Sequence, residues 1–215
     1  MKTELYRTRN GRLFIGDSIE ISENYLRRYY KNKINLIITS PPFPLNKKKK
    51  YGNFQGDKYL EWFANLAPIF SDLLAEDGSL VIELGNAWEP GRPVQSLLHL
   101  ESLFQLVNNP DAGLRLIQEF ICYNPSKLPS PAQWVTVNRL RTVDSYTHVW
   151  WIAKDDYPKA DNSKVLRAYS KSMQRLIKSK NIILVSVLQS TTLALPLLQR
   201  IMGEVSRIIF LRWNH

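Results

Sequence analysis

With 215 residues, 44% hydrophobic and 11% aromatic, the chain is long enough to bury one full core, which excludes a disulfide-stapled miniature, a collagen-like fibre and a mostly disordered tail. The single cysteine, Cys122, cannot form an internal disulfide or a cysteine-based metal site and makes a reducing, cytoplasmic setting the default, and the polar, basic opening "MKTELYRTRNGR" is no secretory leader. A formal charge of +10 and a pI near 9.7 call for an anionic partner, nucleic acid ahead of a membrane surface, with a basic cytosolic enzyme as the plain alternative.

Taken in chain order, short β-branched runs alternate with segments of helical period, the pattern of a parallel α/β sheet. Strands are predicted at "RLFIG" (12–16), "NLIIT" (35–39), "SLVIEL" (79–84), "FICY" (120–123) and "HVWWIA" (148–153). Helices are predicted from Ser18 to Tyr30, through Leu60, Phe63, Leu66, Phe70, Leu73 and Leu74 with an exit at "EDG" (76–78), and over 94–107. Pro68 should kink or break the second of these. The stretch 124–146 carries Pro125, Pro129 and Pro131 and then the basic "NRLRT", interrupting the alternation where a substrate-reading insertion would sit.

The sharpest chemical signal is "NLIITSPPFPLNKKKKYGN" (35–53), an apolar strand running into Thr39-Ser40-Pro41-Pro42-Phe43. Strand ends are where α/β sheets present ligands, and the paired prolines fix the backbone there. Methyl transfer to an exocyclic amine needs acceptors for the amine hydrogens and an aromatic face for an extruded base. The Ser40 hydroxyl and the Pro41 carbonyl supply the acceptors, Pro42 stiffens the turn and Phe43 offers the face. Taken alone, a Pro-Pro pair commonly just ends a strand.

At these residues the chain resembles the permuted (β-type) S-adenosylmethionine-dependent DNA amino-methyltransferases, closest to the PvuII-type cytosine-N4 enzymes of type II restriction-modification systems. In that family the Ser-Pro-Pro-Phe form is typical of cytosine-N4 enzymes, and Asp or Asn in place of the Ser is typical of adenine-N6 enzymes. The resemblance runs through residues 10–178, in "GDSIE" (16–20), "TSPPF" (39–43), "KKYGN" (49–53), "NPSKLPSP" (124–131), "VWW" (149–151) and "KVL" (164–166). It implies an α/β fold, a Rossmann-like methyltransferase sheet. It also implies methyl transfer from S-adenosylmethionine to N4 of a flipped cytosine in duplex DNA, without a covalent enzyme intermediate. The partners it implies are duplex DNA and a cognate restriction endonuclease that acts on the same site and need not bind this chain; no membrane is involved. An adenine-N6 enzyme of the same fold and a non-catalytic DNA-binding remnant are the alternatives.

Other groups follow from the same comparison. Asp17, after a strand, stands where the family holds an acidic residue near the cofactor's adenine; equally, it suits a carboxylate capping the next helix. Lys47, Lys48, Lys49 and Lys50 would track phosphates beside the flipped base, or form an ordinary solvated loop. Lys127, Arg139 and Arg141 lie in the insertion, as phosphate contacts more readily than base contacts. Cys122 reads as a core thiol, and His99, His148 and His215 have no metal-ligand spacing.

The permuted order places the catalytic half first, target recognition next and the cofactor half last, with a Phe-x-Gly-x-Gly turn that carries the methionine moiety. The nine glycines here contain no such arrangement, so the cofactor half is expected to be missing and cofactor binding weak. The expected organisation is a catalytic part (1–123), a recognition insertion (124–146), a further strand and helix (147–180) and an atypical tail (181–215). Gln189, Ser190, Thr191, Thr192 and Pro196 argue against a membrane span in that tail. With synonymous codons chosen for residues 181–207, the neighbouring frame spells "YNSGKRPSEHHIGITSFAKDNGGSIP", which contains two blocks of the family in order. A frameshift near Lys178 to Asn181 is therefore expected, and the gene's nucleotides decide it: stops in that frame would exclude it.

Overall fold

The computed structural model describes residues 3–43, 54–163, 168–180 and 208–211. Strands β1 (Thr3–Arg7) and β2 (Arg12–Ile15) form a two-stranded antiparallel hairpin. The run "RLFIG" is therefore a strand, as expected, but it lies outside the main sheet. Helix α1 (Ser18–Ile21), a π turn (Ser22–Leu26) and helix α2 (Arg27–Tyr30) follow without a gap and together fill the helix expected from Ser18 to Tyr30.

The main sheet begins with β3 (Ile34–Thr39), which is buried along nearly its whole length because it has neighbours on both sides. Helices α3 (Asp57–Ala64) and α4 (Leu66–Leu73) lead into the long strand β4 (Leu74–Gly85). Helix α5 (Leu98–Val107), β5 (Arg115–Tyr123), a π turn (Gln133–Val137), β6 (Tyr146–Ala153), α6 (Lys171–Lys180) and β7 (Ile208–Leu211) complete the described elements. The strand order is β5-β6-β4-β3-β7. Pairing of β3 with β4 and with β7 is parallel, whereas β6 runs antiparallel to both β4 and β5. The all-parallel expectation is thus corrected: β6 alone is reversed. The reason is its entry from a neighbouring strand, β5, by a connection that stays at one end of the sheet.

Two further expectations shift. The "EDG" segment (76–78) is not a helix exit but part of β4, where the register jumps between Ile34↔Leu74 and Leu36↔Ser79. A Cβ on Gly78 would lie 2.8 Å from the Ile34 carbonyl oxygen, so the missing side chain lets the bulged strand close on β3. The helix expected over 94–107 starts only at Leu98, because residues 94–96 are held instead to the stretch after β4. Glu89 N–H donates to the Val94 carbonyl at 2.8 Å and Ser96 N–H to the Ala87 carbonyl at 2.9 Å.

One face of the sheet presents Ile37, Leu80, Ile82, Trp150 and Ile152 to Phe63, Leu66, Phe70 and Leu73 of α3 and α4 and to Leu103 and Leu106 of α5. The other gathers Leu36, Ile38, Val81, Phe120, Val149 and Trp151, with Cys122 packed against them. Among the described residues no helix is long and apolar enough to cross a membrane. The tail expected from 181 lies outside the described residues except for β7, which pairs in register with Leu36–Thr39.

Candidate active site

Thr39 ends β3, and Ser40 to Phe43 leave the sheet at the carboxyl end of the parallel strands, the end where such sheets bind ligands. Ser40 is exposed, Pro41 is buried, and Pro42 and Phe43 are half-buried. Neither proline has an N–H, so the turn keeps only the backbone donors of Ser40 and Phe43. Tyr59 of α3 adds a side-chain donor: its hydroxyl donates to the Pro42 carbonyl at 2.8 Å. The Tyr59 ring is 1% exposed, and burial pushes its phenol above the ordinary value. Phe43 packs against the main core, its ring over Gly85 at the end of β4.

Thr39 pairs with Ile82 of β4, and the next residue of that strand, Glu83, accepts at Oε1 from Thr147 Oγ1 at 2.9 Å. Sequence reasoning missed Tyr59 and Gly85. Their relation to the turn depends on strand register and helix packing, and no spacing in the sequence signals it.

Because β6 runs backwards, the insertion leaves β5 and re-enters β6 at this same end. Asn124 N–H donates to the Ser145 carbonyl at 2.7 Å and closes its neck. Inside the neck lies a polar network. Lys127 Nζ reaches Asp144 Oδ2 at 3.1 Å, Asn86 Nδ2 donates to the same oxygen at 3.2 Å, and His148 lies between Glu119 Oε1 at 2.6 Å and Asn86 Oδ1 at 2.9 Å. The His99 ring stacks on His148 with centroids 4.6 Å apart. Burial first, and then the neighbouring His148, hold the His99 imidazole below its ordinary value. Arg141 places its guanidinium 3.2 Å from the centre of the Trp88 ring and donates to the Ser130 carbonyl at 2.8 Å.

The candidate DNA-binding residues therefore separate. Lys127 and Arg141 are engaged within the insertion and its seat, whereas Arg139 is exposed, at a positive φ of 54°. Lys47, Lys48, Lys49 and Lys50 lie outside the described residues, as does His215. Asp17 is the N-cap of α1: its Oδ1 accepts from Ile19 N–H and from Glu20 N–H, both at 2.9 Å. The capping role is thus realised, and both of its bonds fall on one carboxylate oxygen. Among the described residues no Gly-x-Gly turn follows a strand, so they form no cradle for the methionine half of an S-adenosylmethionine. The residues in place suit the methyl-accepting side of the site.

Comparison with known proteins agrees with this geometry. The family pattern of N6 and N4 methyltransferases, described as DNA methylase, matches residues 34–202. The type II methyltransferase M.PvuII of Proteus hauseri is 39% identical over 177 residues, covering 82% of this chain and 51% of that protein. A solved structure of the PvuII DNA methyltransferase (cytosine-N4-specific) superposes with a TM-score of 0.66 at 34% identity, covering 85% of this chain and 67% of that one. The chain thus spans about half the length of the curated relative it matches. With the family pattern covering most of its length, and the fold and the Ser-Pro-Pro-Phe turn both in place, the chain belongs to the DNA methylase family of N6 and N4 methyltransferases.

Proposed function

We propose that this chain carries the methyl-accepting half of a site-specific DNA methyltransferase that modifies the exocyclic N4 amine of cytosine in duplex DNA, as one arm of a restriction-modification system. The observation that carries the reading is the Ser40–Phe43 turn, held at the rim of the sheet with its serine exposed and its last proline carbonyl already taken by Tyr59. In this reading the Ser40 hydroxyl and the Pro41 carbonyl accept the two amine hydrogens. That orients the nitrogen lone pair out of the base plane. Phe43 stacks on the extruded base. S-adenosylmethionine supplies the methyl group when bound. The described residues give it no cradle, so no step is assigned to a residue on the donor side. Exposed Arg139 and the lysines 47–50 are assigned to phosphates, and Lys127 and Arg141 to holding the insertion that reads the target.

The test uses unmethylated duplex DNA, isotopically labelled S-adenosylmethionine and mass spectrometry of the digested nucleosides. The 215-residue chain is compared with one in which the neighbouring frame is restored from residue 181. The restored chain is expected to yield N4-methylcytosine, and the 215-residue chain to bind DNA with little transfer. N6-methyladenine would overturn the choice of base, transfer by the 215-residue chain would overturn the incomplete donor site, and inactivity of both would overturn the enzyme assignment.

A further inference from the structure

Gly85 ends β4, one strand away from β3. A Cβ at this position would meet Phe43 Cε2 at 2.6 Å, Cδ2 at 2.7 Å and Cζ at 3.4 Å. Its three nearest neighbours are therefore all atoms of one ring, and the first two are closer than non-bonded carbons ever approach. Gly85 is not among the glycines of positive φ, so its backbone would accept any residue. What the position demands is space for that ring. Tyr59 gives its single hydroxyl hydrogen to the Pro42 carbonyl of the same turn.

We propose that Gly85 and Tyr59 are positioning residues of the methyl-accepting site. Gly85 sets the depth and plane of the Phe43 ring, and with them the platform on which an extruded base stacks. Tyr59 anchors the Pro42 carbonyl, and with it the turn that presents the Pro41 carbonyl and the Ser40 hydroxyl to the amine. The proposal rests on the reading of Ser40–Phe43 as the amine-binding turn.

The experiment places 4-fluorophenylalanine at position 43 of the full chain and follows its fluorine resonance, together with the melting temperature. The otherwise unaltered chain is expected to give one narrow line. Gly85→Ala should displace or broaden that line while the chain stays folded, because the added methyl occupies the ring's place. Tyr59→Phe, which keeps the ring and removes only the donor, should also move it. A Gly85→Ala line superimposable on the unaltered one overturns the seat. If Gly85→Ala does not fold, an unmoved line in Tyr59→Phe overturns the proposal. A duplex carrying an unpaired cytosine is then added. Stacking should shift the line of the unaltered chain and leave that of Gly85→Ala nearly still, at equal DNA affinity by fluorescence anisotropy, a difference that a purely structural role would not produce. If DNA moves neither line, the stacking role of Phe43 fails, while the DNA-free spectra still decide whether Gly85 seats the ring.

Discussion

Tyr59 and Asp17 show how single side chains complete what the backbone leaves open. The Tyr59 hydroxyl donates to the carbonyl of half-buried Pro42. Tyr59→Phe should therefore cost about 0.5–1.5 kcal/mol, the net worth of one hydrogen bond, read as a lower urea midpoint at unchanged slope. Asp17 closes the start of α1 with two bonds, and Asp17→Ala should cost about 0.5–2 kcal/mol by the same measurement, Asp17→Asn much less. His99 gives a pH signature. Its folded value lies below the ordinary 6.5, so the folded protein binds fewer protons than the unfolded chain in that range. The stability from burying neutral His99 is fully present above 6.5 and is lost as pH falls through the lower folded value. Melting temperatures measured from pH 7.5 downward should fall, and His99→Leu should flatten that slope. At this scale the Ser40–Phe43 turn was legible because every part of its signal is contiguous. Gly85 was not, since its reason for being glycine is a ring from another strand. The roles of Lys127 and Arg141 were hidden for a similar cause: a sequence shows that a charge exists and not which carboxylate or indole lies against it.

The elements were legible where pattern and environment agree. The apolar runs of β3 and β6 announce strands buried on both faces, and both fall within a residue or two of the expected limits. The break between α3 and α4 is displaced from the expected position. It falls at Asn65, ahead of Pro68, which sits in the first turn of α4, where its missing N–H would have had no helical partner. At the end of β4 nearest α4, Glu76 and Asp77 look like a helix exit in sequence, whereas the bulge opposite Ile34 gives them an exposed place in a strand. A tie between elements adds a further pH effect. Asp72 of α4 faces Arg27 of α2 and Lys31. Burial alone would raise the Asp72 carboxyl, but the hydrogen bonds and charge of Arg27 and then of Lys31 outweigh it and hold the group below its ordinary 3.8. The stability it contributes is present above 3.8 and lost as pH falls through the lower folded value. Arg27→Ala should move the acid-unfolding midpoint upward, followed by circular dichroism. In the core, Trp150 is fully buried, and Trp150→Ala should cost about 3–5 kcal/mol.

For the whole molecule, the net charge of +10 indicated an anionic partner and nothing finer. The structure shows part of that charge serving the fold, in the Lys127–Asp144 pair and the Arg141 guanidinium on Trp88. DNA affinity measured against salt concentration should give a linear log–log plot. Replacing the lysines 47–50 with alanine should flatten its slope by about 0.9 for each phosphate that is no longer neutralised. Lys127→Ala should leave that slope unchanged.

The reversed strand has a consequence for the segment it receives. Tyr123 and Tyr146 are cross-strand partners, so residues 124–145 depart and return through a gap one strand spacing wide, about 4.8 Å. The sheet registers only that the gap is bridged. Each doubling of the bridge's length costs about 0.6 kcal/mol in closure entropy. A longer, shorter or differently folded segment could therefore be mounted on the same floor, with the serine, the prolines and the seated ring left where they are. The Ser40–Phe43 turn and residues 124–145 occupy one rim of the sheet but are physically separable, which is the condition for one to diversify while the other is held fixed.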